Sequence, residues 1–182
     1  MDTKKLIEEV LLDLGNNTSL TDVSSKIQII VRLLGDEKLK SWYTCEFITG
    51  YNDHELPKYR ISSAVEIKAN YIVPQGFGAW TFSGQSVPVA NLGLEKYKEI
   101  MTVRFYDTIS AIIEFSKHPK DLCMSLSPYE QVLVQKVLGE AHIQNVHKIL
   151  SPSTYQTIID NVQGRIIDTV SYTHLTLPTT PY

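Results

Sequence analysis

Two cysteines, nine glycines and eight prolines are all that 182 residues contain, and each scarcity removes a class of protein. Cys45 and Cys123 lie far apart without CxxC spacing. They fit free thiols in a reducing compartment better than a disulfide framework. So little glycine and proline excludes fibrous and low-complexity chains. The N-terminal MDTKKLIEEVLLDLG carries acids inside its apolar run, so it reads as neither a signal peptide nor a membrane span. With a net charge of −3 and a pI of about 5.9, the chain lacks the basic excess of a non-specific phosphate binder. Nucleic acid is therefore not indicated as a partner, a membrane is not expected, and the expected location is cytoplasmic. What is present is ordinary: 43% hydrophobic and 20% charged residues, in a chain long enough to bury roughly 70% of its unfolded surface as one domain.

The usual chemical signatures are also missing. His142 and His147 are five apart rather than four, and His54 and His118 have no cysteine or histidine nearby in sequence, so no metal site is expected. Gly76-Phe77-Gly78 is no phosphate loop, because it lacks the GxGxxG and GxxxxGK[ST] spacings and precedes a strand instead of a helix. It reads as a turn between strands. No serine sits in GxSxG, and neither cysteine has a nucleophile's context. No cofactor is expected.

Periodicity predicts an α+β fold, mostly helical, with three N-terminal helices, a small antiparallel sheet and further helices. Leu6, Ile7, Val10, Leu11 and Leu14 make helix 3–14, closed by Gly15-Asn16-Asn17. Ser19 and Asp22 resemble a capping box ahead of a second helix that ends at Gly35, and Asp36 caps a third. From Ile61 to Val73 alternating residues predict one strand, followed by a shorter one at Ala79–Phe82 with a glycine turn at Gly84. Helix is expected from Leu94 to Lys117, kinked or divided near Thr102. Ser127-Pro128-Tyr129-Glu130 starts another, which runs to Leu138. The next segment, EAHIQNVHKIL, is read as a strand, although helical spacing also fits it. Ser151-Pro152 opens the last helix, with Tyr155, Ile158, Ile159, Val162, Ile166 and Ile167 as its stripe.

The end of the chain, VSYTHLTLPTTPY, is uncharged and threonine-rich. Back-translation of Val170–Thr179 as GTC TCT TAT ACA CAT CTG ACG CTG CCG ACG resembles a common transposase-derived sequencing adapter read in frame. Residues 170–182 are accordingly expected to be adapter read-through, and residues 1–169 a domain truncated inside its last helix.

The one group with potential chemistry is WYTCEFITGYNDHELPKYR. Helical spacing puts Trp42 and Glu46 on one face beside Phe47, and the following bend brings Tyr51, Tyr59 and Arg60 within reach. A carboxylate on an apolar face needs a partner, here Arg60 or Arg32. The group is either a pocket for a ligand or general base, or an ion pair that locks the helices to the sheet. An enzyme would show an open polar cleft at Glu46; an interaction module would show Glu46 buried and paired, with an apolar patch exposed elsewhere. Arg104 and Arg165 are read as solvated or paired, Arg165 as facing whatever continues the chain.

Trp42, Glu46, Gly50-Tyr51 and Leu56-Pro57-x-Tyr59-Arg60 resemble the signature of the AbiTii domain, an N-terminal module of bacterial proteins associated with abortive infection and phage defence. The likeness extends to Ile158–Asp168 and covers residues 1–169. Gln163 stands where the family often has arginine, and a Leu-Glu-Leu-Glu continuation is expected where the tail begins. The resemblance implies a regulatory, sensing or interaction module partnered by a C-terminal domain or another protein, and carries over no catalytic residues. An enzyme or toxin acting on nucleic acid or nucleotide through Glu46, Tyr51 and Arg60 is the alternative. A homo-oligomerisation domain using a helix face is a third.

Overall fold

The computed structural model describes residues 3–52 and 54–176. Its elements run α1 (Thr3–Gly15), α2 (Leu20–Leu34), α3 (Glu37–Thr44), a π turn (Cys45–Thr49), a 3-10 turn (Lys58–Arg60), β1 (Ile61–Ser62), β2 (Glu66–Gln75) and β3 (Gly78–Ser86). A 3-10 turn at Val89–Leu92 leads to α4 (Leu94–Met101), β4 (Val103–Arg104), α5 (Ile109–Ser116), β5 (Leu122–Ser125), α6 (Pro128–Leu138), β6 (His142–Leu150) and α7 (Pro152–Thr176). The fold is α+β, and two compact units share the chain.

The first unit takes Met1–Arg60, Tyr106–Ser116 and Tyr155–Tyr182. Its core comes from the helical stripes: Ile7, Val10 and Leu14 of α1, Ile27 and Ile30 of α2, Ile109 and Ile112 of α5, and Ile158, Val162 and Ile166 of α7 are all buried. Helix ends follow the local signals. Asn17 takes φ +58° after α1 and Gly35 φ +67° after α2, while Asp36 accepts from the Lys38 and Leu39 amides at 2.8 and 3.1 Å. The expected capping box at Ser19 is absent: its hydroxyl bonds Thr21 Oγ1 instead of an amide of the first turn. Helix α7 continues past 169 to Thr176 with Val170 buried; residues 177–182 of the expected read-through lie outside the described residues.

The second unit, Ile61–Phe105 and Lys117–Thr154, holds a four-stranded antiparallel sheet in the order β3-β2-β6-β5 and a separate two-stranded ladder of β1 with β4. Ile67 and Ala69 of β2 pack with Val87, Ile100, Leu126 and Leu133. The strand expected over 61–73 is broken, because Ser62 Oγ accepts from the Ala64 amide and turns the chain, sending β1 to β4 and β2 to β6. Gly84 is no turn. It lies inside β3 at φ +61°, donating its amide to Asn70 Oδ1 at 2.6 Å, where a register shift marks a bulge. The helical stretch expected over 94–117, kinked or divided near Thr102, is divided there, since Thr102 is extended and β4 intervenes. β6 is the strand expected.

The start of α6 does more than cap. Glu130 Oε2 accepts from Ser127 N at 2.8 Å and from Ser127 Oγ at 3.0 Å, while the Glu130 amide donates to Ser127 Oγ at 3.3 Å. Its other oxygen, Oε1, takes the buried Lys148 Nζ at 2.6 Å. Burial pushes the Glu130 carboxyl up, but Lys148 and the two Ser127 donors outweigh it and hold the group below the ordinary 4.5. A depressed folded value means this stabilisation is full above pH about 4.5 and is lost as pH falls through that folded value. Glu130→Gln should cost about 2–3 kcal/mol at neutral pH, and the difference from wild type should shrink on acidification. Urea melts at pH 7 and pH 3.5 check this. A gap that stays constant between the two would contradict it.

Candidate functional site

Helix α3 does not end at Thr44 but widens into the π turn Cys45–Thr49, a distortion that often accompanies functional positions. Glu46 lies in that turn and is completely buried. Two tyrosines share its Oε1: Tyr51 donates at 2.8 Å and Tyr59 at 2.5 Å. Its Oε2 accepts from Arg60 Nη2 in an ion pair with no exposure on either side. Trp42 Nε1 donates to the Tyr59 oxygen at 2.8 Å, and Arg60 Nη1 donates to the Asp107 carbonyl at 2.9 Å. The Arg60 guanidinium also sits over the Tyr51 ring at 5.5 Å.

Backbone geometry brings these groups together. Gly50 adopts φ +75° and ψ −173°, and the Tyr51 amide donates to the Tyr106 carbonyl at 2.8 Å. A Cβ on Gly50 would stand 2.5 Å from that same oxygen. The Arg60 amide donates to Pro57 O at 2.9 Å, closing the short turn that carries Tyr59 and Arg60. Around the network, Phe47 stacks on Tyr43 at 4.7 Å and meets Trp42 edge-on at 6.4 Å.

Electrostatically the site holds its phenols neutral. Burial, with the adjacent Glu46, pushes the Tyr51 hydroxyl far above the ordinary tyrosine range and raises Tyr59 for the same reasons. The Cys45 thiol rises through burial and the neighbouring Glu46, the opposite of an activated nucleophile. Two shallow depressions flank the network. One of about 450 Å³ is lined partly by Trp42, Cys45, Tyr51 and His54; the other, about 520 Å³, by Tyr59, Asp160, Asn161, Gly164, Arg165 and Asp168. Glu46 lines neither.

Trp42, Glu46, Tyr51, Tyr59 and Arg60 thus converge, and of the two candidate partners Arg60 takes the carboxylate while Arg32 is exposed. Arg165 places its guanidinium 4.8 Å over the Trp42 ring, and Arg104 is exposed on β4. Sequence spacing missed the Asp107 and Tyr106 carbonyls, since a backbone oxygen about 50 residues away leaves no side-chain signal. Among the described residues no group of three or more His, Cys, Asp or Glu is placed to hold a metal, and no helix is long and apolar enough to cross a membrane.

The AbiTii family model matches residues 5–173. The chain belongs to the AbiTii family. No curated protein and no solved structure matches it. The positions that carry the AbiTii resemblance are largely those of the buried network, and several of the residue types have a physical reason here. Gly50 admits the Tyr106 carbonyl, and Tyr51, Tyr59 and Arg60 satisfy Glu46. The AbiTii name associates the domain with abortive infection.

Proposed function

We propose that this AbiTii domain is a non-catalytic module of an abortive-infection system, which senses, regulates or docks while another domain or chain supplies the effector. The observation that carries this reading is Glu46: buried completely, with both oxygens occupied by Tyr51, Tyr59 and Arg60. A general base needs a proton acceptor within reach of substrate, and this one is out of reach. A buried carboxylate with both oxygens bonded instead helps to fix a single geometry. The acidic chain, with net charge −3, gives no support to a nuclease or nucleotide-directed toxin acting through the same residues.

Tyr51→Phe and Tyr59→Phe test this, because each removes one hydroxyl from the charged Glu46 acceptor at a stability cost of about 1.5–3 kcal/mol. In a bacterial host that the wild-type protein protects against phage, both variants should keep plaque formation as low as the wild type does. An enzyme using these phenols would lose about 10²–10⁴-fold in rate. A hundredfold loss of protection from a variant that still melts cooperatively would overturn the modular reading.

A further inference from the structure

The four-stranded sheet ends on one side in β3, and apart from the bulge at Gly84 that edge lacks the protections edges usually carry. Natural edge strands are kept short or interrupted by lysine, proline or other charges that prevent strand addition. β3, GAWTFSGQS, is nine residues long with no charge and no proline, whereas the opposite edge, β5, has only four residues.

The hairpin geometry fixes which backbone groups face outward. Gly76, at φ +57°, and Phe77 form a two-residue connection between the pair Gln75 and Gly78, with the sign pattern of a type II′ turn. Such a closing pair exchanges both of its hydrogen bonds. Alternation along the ladder then turns the backbone groups of Trp80 and Phe82 inward, towards Val73 and Tyr71, and leaves the N–H and C=O of Ala79 and Thr81 on the open edge. Pro74 faces Ala79, a position where no bond to β3 is required of it.

The edge is also close to symmetric in sequence. Ala79-Trp80-Thr81-Phe82-Ser83 reads small, aromatic, threonine, aromatic, small in either direction. Two copies paired antiparallel about Thr81 set Thr81 against Thr81, Trp80 against Phe82 twice over, and Ala79 against Ser83. Threonine pairs and aromatic pairs are among the favourable cross-strand combinations. The aromatic pairs fall at the non-hydrogen-bonded positions, where side chains approach most closely. Phe82 already stacks on Tyr71 at 5.0 Å, and Trp80 is 63% exposed, so a second copy would lengthen an existing aromatic row. The bulge at Gly84 limits the pairing to these five residues.

We propose that the chain forms a two-fold homodimer by antiparallel pairing of β3 with β3 of a second copy, making one eight-stranded sheet from two four-stranded ones. The near-symmetry about Thr81 selects an identical partner over a foreign strand, and the absence of charge removes self-repulsion. The interface does not depend on how the Glu46 network is read.

Sedimentation equilibrium of the full chain over a wide concentration range tests it. The wild type should reach about 41 kDa, twice 20.6 kDa. Thr81→Lys places like charges directly opposite each other and should weaken association by roughly tenfold or more. Thr81→Glu should do the same, and an equimolar mixture of the two variants should restore the dimer, which a mere folding defect in either chain would not produce. A wild type that stays monomeric throughout, single variants that dimerise like wild type, or a mixture that fails to recover association would each overturn the proposal.

Discussion

Arg60→Met should destabilise the protein by about 3–5 kcal/mol, because it leaves a completely buried Glu46 carboxylate without its cation. That is a large share of the roughly 5–15 kcal/mol that holds a typical domain folded. Two further contacts go with it: the bond to the Asp107 carbonyl and the packing over the Tyr51 ring. The double variant Glu46→Leu/Arg60→Met is the informative companion. It removes the charge together with its partner, and replacing a buried pair by apolar groups is often neutral or stabilising. Against that, the buried Tyr51 and Tyr59 hydroxyls lose their charged acceptor, at a cost of about 1–3 kcal/mol each. The double variant should therefore lose less than the sum of the Arg60→Met and Glu46→Leu single variants, a non-additivity of at least about 1 kcal/mol readable from urea midpoints. Additive losses would mean that the carboxylate and guanidinium are not coupled, and would remove the basis for treating the network as a lock.

The elements legible in the sequence were those set by local chemistry. Asp36 caps α3, Ser127 and Glu130 box the start of α6, and Gly35 ends α2, each acting within four residues of its target. What eluded the sequence is decided by distant partners. β5, Leu122–Ser125, shows no alternation and becomes a strand because β6 pairs with it from Leu150 back to His147. β1 and β4 are two residues each and exist only as each other's partner. Gly84 reads as a turn residue wherever it appears, and only the register of β2 makes it a bulge. The candidate site divides the same way. Helical spacing aligned Trp42 with Glu46, but spacing gives directions and not distances, so Arg60 and Arg32 were equally available to the carboxylate. Only the 3-10 turn at Lys58–Arg60 settles the choice. The same spacing could not distinguish an open cleft from a sealed one, because the Tyr51 and Tyr59 hydroxyls that close it enter from beyond the helix.

A glycine can mark such a seal when its neighbours leave no room for a side chain, and Gly50→Ala measures how tightly this one is drawn. The new Cβ would stand 2.5 Å from the Tyr106 carbonyl oxygen, at a backbone φ of +75° that alanine rarely adopts. Relief requires moving apart two segments joined by the Tyr51 amide bond to that same oxygen. The displacement would carry Tyr51 away from Glu46, so backbone strain, a lost amide bond and a disturbed network combine to about 2–4 kcal/mol. Gly164→Ala supplies the contrast. It lies inside α7 with nothing within 4 Å of an added Cβ, so alanine should stabilise the protein by about 0.4–1 kcal/mol through helix propensity and a less disordered unfolded chain. The two identical substitutions are therefore expected to shift the urea midpoint in opposite directions. A harmless Gly50→Ala would show that the segment can yield by several tenths of an ångström without cost, and that Tyr51 does not need its backbone anchor at Tyr106 to reach Glu46.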